Sequence, residues 1–142
     1  MVEETELPPD YRPGDDEPYM GSRQLAYFRR KLKRWRAELV QETQDVLEQM
    51  QDTGHREVGD EVDRANQEAG QSIDLRTRDR YRKLIAKIDS ALARIDDGSY
   101  GFCLETGEPI GLARLEARPV ATLSVVAQER HELRERQMAK QR

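Results

Sequence analysis

The sequence predicts a mainly α-helical fold, in which a long antiparallel coiled-coil hairpin ends in a small compact module and a C-terminal helix. Charged residues make up 37% of the 142 residues and aromatic residues only 6%. This balance suits a solvated helical rod better than a thick globular core. Apolar residues also recur at heptad spacing in two long segments, and a short break with glycines separates them. Two such seams joined by a short connection predict an antiparallel helix pair.

The first helix is expected to start after Ser22, a favourable N-cap residue, and to run to about Gln51. Its apolar positions are spaced three and four residues apart, as in a heptad seam. They are Leu25, Phe28, Leu32, Trp35, Leu39, Val46 and Met50. The tripeptide Asp52-Thr53-Gly54 is then expected to end the helix.

The second helix is expected from about Asp60 to Asp96, with Gly98 as the residue just beyond its end. Its seam positions follow the same spacing. They are Ile73, Thr77, Tyr81, Leu84, Ile88, Ala91 and Ile95.

The segment 99–123 is short and rich in turn residues. Within it, Tyr100 to Cys103 is expected to form one short strand and Pro109-Ile110 the edge of another. Residues 112–117 are expected to form a helical turn that stops before Pro119. Ser124 is a suitable N-cap for a last helix that runs to about Met138.

The first twenty residues hold seven acids, one base and four of the six prolines. We expect them to form an extended or weakly ordered arm. The rest of the chain carries a net charge of only +2, which argues against nucleic-acid binding by bulk charge. There is a single cysteine, and no signal peptide or apolar run of membrane-spanning length is evident, so a cytoplasmic protein is expected.

The most informative motif is Asp60-Glu-Val-Asp-Arg-Ala at the start of the second helix. Asp60 and Asp63, three residues apart, lie on one face of a helix beside the predicted bend. Taken alone, the motif suits a solvated helix start, because carboxylates are favourable at a helix N-terminus. The alternative is a pair of acids that reach into a partner, where they accept hydrogen bonds or pair with basic groups.

Five segments together resemble the DksA/TraR family of bacterial transcription factors. They are Gln24-Leu-Ala-Tyr-Phe-Arg-Arg, the Asp60 motif, Leu75-Arg-Thr-Arg-Asp-Arg-Tyr-Arg-Lys-Leu-Ile, Tyr100-Gly-Phe-Cys and Arg114-Leu-Glu-Ala-Arg-Pro. The resemblance implies a regulator that binds RNA polymerase, inserts its coiled coil through the secondary channel, and acts with ppGpp on promoter open complexes. It also implies a monomer that has no enzymatic activity, binds no specific DNA sequence and does not bind membranes.

The resemblance also implies roles for individual residues. The family's tip motif falls on Asp60, Asp63 and Ala65, which would lie near the polymerase active site. The residues expected at the polymerase rim and at the ppGpp site come from the second helix and the compact module. They are Arg80 and Lys83 at the rim, and Leu84, Lys87 and Arg118 at the nucleotide. A lysine of the family's nucleotide site corresponds here to Gln128, which removes one phosphate-binding charge.

The compact module is expected to be a degenerate zinc finger, because the family's four zinc-binding cysteine positions read Cys103, Thr106, Ser124 and Ala127. One thiolate, even with His131 nearby, does not make a structural zinc site, so we expect no zinc. Apolar packing would then replace the folding energy of the metal. The residues expected to supply it are Phe102, Leu104, Ile110, Leu112, Leu115, Leu123, Val125 and Val126.

The chain therefore divides into an arm (1–20), a hairpin (21–98) with its tip near 52–65, a zinc-finger-like module without zinc (99–123) and a C-terminal helix (124–142). Two alternatives stay open. The tip acids would also suit a transcript-cleavage factor of the Gre kind, and the seams alone would suit a structural coiled-coil adaptor. An independent enzyme is disfavoured, because no triad-like set and no glycine-rich phosphate loop is found.

Overall fold

The structure of the chain, a computed structural model, describes residues 6–55 and 61–141. It contains four helices: α1 (Ser22–His55), α2 (Glu61–Asp97), α3 (Leu112–Ala117) and α4 (Val125–Lys140). The described residues form no strand beyond one isolated β-bridge, so the predicted mainly α fold class is confirmed. None of the helices has both the length and the apolar composition that crossing a membrane would require, as far as the described residues extend.

Two of the four helix ends that the sequence specified through caps or breaks agree with the structure, and the start of α1 lies within one residue of the prediction, since Ser22 is its first residue and not its cap. Ser22 begins α1, Ser124 accepts a hydrogen bond from the N–H of Ala127 as the N-cap of α4, and α2 ends just before Gly98. Gly98 has a φ of 83°, and the N–H of Ser99 bonds to the carbonyl of Arg94, which is the pattern of a Schellman motif.

The predicted break after Gln51 is wrong, because α1 continues through Gly54 to His55. A glycine inside a helix costs only about 1 kcal/mol relative to alanine, so a single glycine does not have to end a helix. The connection between α1 and α2, including Asp60, lies outside the described residues.

The chain forms two compact units. Unit 1 comprises Met1–Leu32 and Ser90–Arg142, and unit 2 comprises Lys33–Asp89. In unit 2 the two helices run antiparallel, with Leu39 and Ile88 buried and Arg36 bonded through Nε to Oδ1 of Asp89 at 2.7 Å. The heptad seam therefore does form a helix pair, as predicted.

The seam of unit 2 is exposed towards the start of α2. Ile73, a predicted seam residue, is 61% exposed, and Val62 is 67% exposed. An added Cβ at Gly70 would contact nothing within 4 Å outside its own helix. The prediction that Ile73 packs in the seam is wrong.

In unit 1, the first part of α1 and the last part of α2 also pack as an antiparallel pair. Phe28, Leu32, Ala91 and Ile95 are all buried. Arg29 forms an ion pair with Asp96 at 3.4 Å across the same pair of helices.

The N-terminal arm packs against this helix pair and the compact module, although its composition predicted weak order. Buried Gln24 accepts a hydrogen bond from the N–H of Met20 and donates one to the carbonyl of Gly14. The ring of Tyr11 contacts the ring of Tyr27 edge to face, with centroids 6.0 Å apart. Residues 6–20 are thus an integral part of unit 1.

Tyr19 connects the arm to the compact module through one hydroxyl group. It donates to the carbonyl of Gly101 at 2.6 Å and accepts from the N–H of Gly111 at 2.8 Å. Its ring packs on Phe102 at nearly a right angle, and the side chain of Met20 lies against Gly101. A Cβ at Gly101 would lie 2.6 Å from Cγ of Met20, and the φ of 91° also favours glycine, so this close approach requires a glycine.

The compact module is a short hairpin followed by α3. Its hairpin has a single β-bridge, Phe102 with Pro109, so the short strand predicted for Tyr100 to Cys103 does not form. The module's buried apolar side chains come from the hairpin, from α3, from the connection between α3 and α4, and from the start of α4. They are Tyr100, Cys103, Ile110, Leu115, Ala121 and Ala127.

The apolar core predicted for the module is only partly correct. Ile110 and Leu115 are buried as expected. Leu104, Val125 and Val126 are 62%, 50% and 56% exposed, so their assignment to the core is wrong. Only Ala127 in the first turn of α4 is buried, because an α-helix presents just one of its faces to a neighbour.

Candidate functional site

The acidic motif lies at the N-terminus of α2, in unit 2. Glu61 and Asp63 occupy its first turn, where a helix favours negative charge. Asp63 and Ala65 are both exposed. Asp60, the other acid predicted for the tip, lies outside the described residues. The part of the motif that the structure describes is therefore accessible to a partner.

The predicted rim residues of α2, Arg80 and Lys83, lie beside an acid, Asp79, to which the sequence analysis gave no role. Asp79 accepts from Lys83 at 3.1 Å and from Arg82 at 3.0 Å. The hydrogen bond from Lys83, more than any other contact, lowers the pKa of Asp79 below its usual value. Asp79 therefore stays ionised and orients Lys83, one of the two predicted rim residues. The other, Arg80, lies over the ring of Tyr81, 5.4 Å from its centroid.

Two of the residues predicted to bind ppGpp lie together on α2. Leu84 is half-buried, and Lys87 is exposed and has no ion-pair partner among the described residues. Because they are three residues apart, they share a face of the helix. The third predicted residue, Arg118, belongs to unit 1, where it is the exposed C-cap of α3.

The position corresponding to a family lysine holds Gln128, in the first turns of α4. Its amide donates to the carboxylate of Glu132 at 3.1 Å, so it is engaged within its own helix. A neutral amide that is already bonded to a carboxylate is a poor substitute for a cationic phosphate ligand.

The structure brings Cys103 together with two of the other three degenerate zinc positions. Cys103 is buried, and the donor groups that act on its thiol are the hydroxyl of Thr106 and the backbone N–H groups of Ser124, Thr106 and Glu105. Burial alone would raise the pKa of the thiol, but these donors outweigh it and lower the pKa to about 6. The sulfur therefore lies in a nest of donors that favours a thiolate.

This donor set does not fit a zinc ion of the four-thiolate kind. Ala127 has no donor atom, and the hydroxyl of Ser124 already caps α4 by accepting from the N–H of Ala127 at 3.2 Å. His131 is paired with Glu135 at 3.3 Å. No group of three or more metal-binding side chains is found in the described part of the chain.

The same fold occurs in proteins of one family. Residues 24–95 match the family described as the N-terminal domain of the DnaK suppressor protein DksA, and residues 98–133 match the prokaryotic dksA/traR C4-type zinc finger. The first match alone spans about half of the chain. The chain belongs to the DksA/TraR family. Its own finger departs from the C4 description, because it contains a single cysteine.

Individual members of the DksA/TraR family are similar over most of their length. The RNA polymerase-binding transcription factor DksA of Caulobacter vibrioides is 58% identical over 127 residues, which cover 89% of each chain. The protein of the same name from Escherichia coli K12 is 45% identical, over 91% of this chain and 85% of the relative. Among solved structures, transcription factor DksA2 from Pseudomonas aeruginosa matches with a TM-score of 0.77 and 45% identity, over 83% of this chain and 90% of the other.

Several residues with evident roles were missed by sequence reasoning. Asp79 lies in the segment that starts at Leu75, but its ion pair with Lys83 was not predicted. Tyr19 contacts residues more than 80 positions away, so no local pattern could predict its bonds. Glu116 is part of the Leu-Glu-Ala-Arg-Pro motif, and its partner Lys31 lies in a basic run of α1.

Proposed function

We propose that this chain is a transcription regulator that binds RNA polymerase and inserts the start of α2 through the secondary channel. The observation that carries the proposal is the similarity to the polymerase-binding factor of Caulobacter vibrioides, at 58% identity over 89% of the chain. The exposure of Asp63 and Ala65 supports it, because both side chains are accessible to a partner surface. Asp60 completes the proposed tip.

We propose further that ppGpp acts with the chain to change the stability of promoter open complexes. The nucleotide would contact Leu84, Lys87 and Arg118, while Arg80 and Lys83 contact the polymerase rim. The exposed cations Lys87 and Arg118 support this assignment, because a tetra-anionic ligand requires such groups. The engaged amide of Gln128 predicts weaker phosphate binding than a lysine would provide.

We propose that the finger module folds without zinc. The donor chemistry supports this, because the positions of the four thiolates hold one sulfur, two hydroxyls and a methyl group. The Tyr19 hydroxyl and the buried residues around Tyr100 would supply the cross-links and the core instead. The proposal also includes a cytoplasmic monomer with no catalytic activity of its own and no sequence-specific DNA contact.

The test is reconstituted transcription from a ribosomal promoter, with polymerase and the purified chain, in the presence and absence of ppGpp. We expect the chain to change promoter output and ppGpp to strengthen the effect. A chain that neither binds polymerase nor changes output would refute the proposal. A parallel assay on backtracked complexes tests the Gre alternative, and we expect no stimulation of transcript cleavage.

A further inference from the structure

Arg118 lies between two backbone carbonyls that side chains from other elements hold in place. Before it, the carbonyl of Glu116 accepts a hydrogen bond from Nζ of Lys31 at 2.9 Å. After it, the carbonyl of Pro119 accepts one from the hydroxyl of Tyr100 at 2.8 Å. Both donors belong to unit 1, as does Arg118. The backbone is therefore held on both sides of the arginine.

Each of these two hydrogen bonds is stabilised by the surroundings of its donor. Tyr100 is fully buried, and burial raises the pKa of its hydroxyl, so the group stays protonated and donates. Lys31 also pairs with the carboxylate of Glu116 at 2.6 Å, so one ammonium group bonds to both the side chain and the backbone of that residue. A charge-assisted contact of this kind is firmer than a single exposed ion pair.

The ionisation of Glu116 maintains the Lys31 contact at neutral pH. Partial burial would raise the pKa of Glu116, but the hydrogen bonds from Lys31 and Tyr27 hold it below its usual value. The carboxylate is therefore charged at neutral pH, and Lys31 keeps its partner. Tyr27 is itself buried, so the three side chains form a fixed network beside α3.

Arg118 itself is exposed, and its backbone is fixed further by local bonds. Its N–H donates to the carbonyl of Arg114 at 2.7 Å, and its carbonyl accepts from the N–H of Ala121 at 3.0 Å. Within the described part of the chain, the guanidinium group has no hydrogen-bond or ion-pair partner. A guanidinium that is free to bind, on a backbone that is already ordered, loses less conformational freedom when an anion binds.

We infer that Lys31 and Tyr100 are positioning residues, which hold Arg118 ready for a ligand with paired phosphate groups. Neither side chain needs to touch the ligand, because each acts on the backbone beside the arginine. The inference rests on the proposed function, in which that ligand is ppGpp. It adds that the strength of the ppGpp response depends on a lysine in α1 and a buried tyrosine, and not only on the exposed cations.

The test measures the ppGpp concentration that gives half of the full response, with the intact chain bound to RNA polymerase. Lys31→Ala and Tyr100→Phe each remove one carbonyl contact, and we expect each to raise that concentration by roughly 5- to 10-fold. Lys31→Arg keeps a donor and should restore most of the response. Lys33→Ala, which removes an exposed lysine without a partner in the described structure, serves as the matched control and should leave the response unchanged.

Two further measurements separate positioning from a general loss of structure. Affinity for polymerase without ppGpp should not change in Tyr100→Phe, whereas a module that has lost its structure would lose it. In an Arg118→Ala background, Lys31→Ala should add no further loss, because the group that it positions is gone. Equal losses in the presence and absence of Arg118 would overturn the inference.

The outcomes also distinguish this inference from the function on which it rests. If Arg118→Ala weakens the ppGpp response but Lys31→Ala and Tyr100→Phe do not, positioning is wrong while the effector site stands. If Arg118→Ala changes nothing, the effector assignment fails and the inference fails with it. If Lys31→Ala does not fold, Tyr100→Phe, which keeps the buried ring, decides the matter alone.

Discussion

Replacing Tyr19 by phenylalanine removes a single oxygen atom that joins the N-terminal arm to the finger module. The hydroxyl donates to the carbonyl of Gly101 and accepts from the N–H of Gly111. Burial raises the pKa of Tyr19, so the group stays protonated and can make both bonds at once. The ring contact with Phe102 would survive the change, because phenylalanine keeps the ring.

The loss of stability in Tyr19→Phe depends on the hydrogen bonds that Gly101 and Gly111 still make without the hydroxyl. The carbonyl of Gly101 still accepts from the N–H of Ile110 at 2.8 Å, so it remains bonded. The N–H of Gly111 loses its acceptor, and leaving a donor unpaired costs about 1–3 kcal/mol when it is buried. Because Tyr19 and Gly111 are only half-buried, water can compensate in part, and we expect about 1–2 kcal/mol.

Amide hydrogen exchange of the finger module is the suitable assay, because it reports on local opening. The amides of Cys103, Leu104 and Ile110 bond to carbonyls within the module. Their protection should fall roughly tenfold in Tyr19→Phe, since about 1.4 kcal/mol corresponds to a factor of ten. Tyr11→Phe is the matched control, because it removes a hydroxyl whose hydrogen-bond partner in the described structure is Glu17, which belongs to the arm itself.

The comparison of the two variants decides the question. Unchanged protection of the three amides in Tyr19→Phe would refute the idea that the arm stabilises the finger. The idea would also be refuted if Tyr11→Phe lowered the protection by the same amount as Tyr19→Phe. The loss would then come from disturbing the arm in general and not from the bonds between Tyr19 and the finger.

Three further predictions concern the tip, the thiol and the metal. Asp63→Asn combined with Ala65→Thr should abolish promoter regulation in vitro while leaving the circular dichroism spectrum unchanged, because both side chains are exposed; regulation at the parental level would contradict the tip assignment. The folded pKa of Cys103, about 6, lies below its ordinary value of 9.0, so the stability that the thiolate contributes is complete above about pH 9 and is lost as the pH falls through about 6. As the pH rises from about 6 to about 9, the unfolding free energy of the wild type should therefore increase relative to that of Cys103→Ala. Thr106→Val should reduce this increase. A difference that does not depend on pH would exclude a thiolate in the folded state. A metal chelator should leave the melting temperature and the promoter response unchanged, whereas a lowered melting temperature would refute a zinc-free module.

The helices could be predicted well because their evidence is local. The heptad spacing of Phe28, Leu32 and Leu39 predicted a buried stripe, and all three are buried. Capping residues such as Ser124 and Gly98 act within one helical turn, so their roles are evident from the neighbouring sequence. The extension of α1 past Gly54 was missed, because a breaker signal is only a preference that helix continuation can outweigh.

The packing of the arm and the module could not be predicted in the same way. Proline and acidic residues indicated weak order, but the order comes from Tyr19 bonding to Gly101 and Gly111, far away in the chain. Apolar type alone placed Val125 and Val126 in the core, whereas the direction in which each side chain leaves α4 decides which one is buried. The candidate site was predicted through resemblance, while the bonds that hold Lys83 and Arg118 required the structure.

The bond between Tyr19 and Gly111 joins positions that are 92 residues apart. During synthesis the arm leaves the ribosome first, and its acceptor and donor on the finger follow on the order of 10 s later at typical rates of translation. Throughout that interval the tyrosine has no partner, although the helical part of α1 can form at once from local contacts. Completion of unit 1 therefore requires the finger module, so in a product terminated before Gly111 the arm would lack the hydrogen bond that joins Tyr19 to that residue.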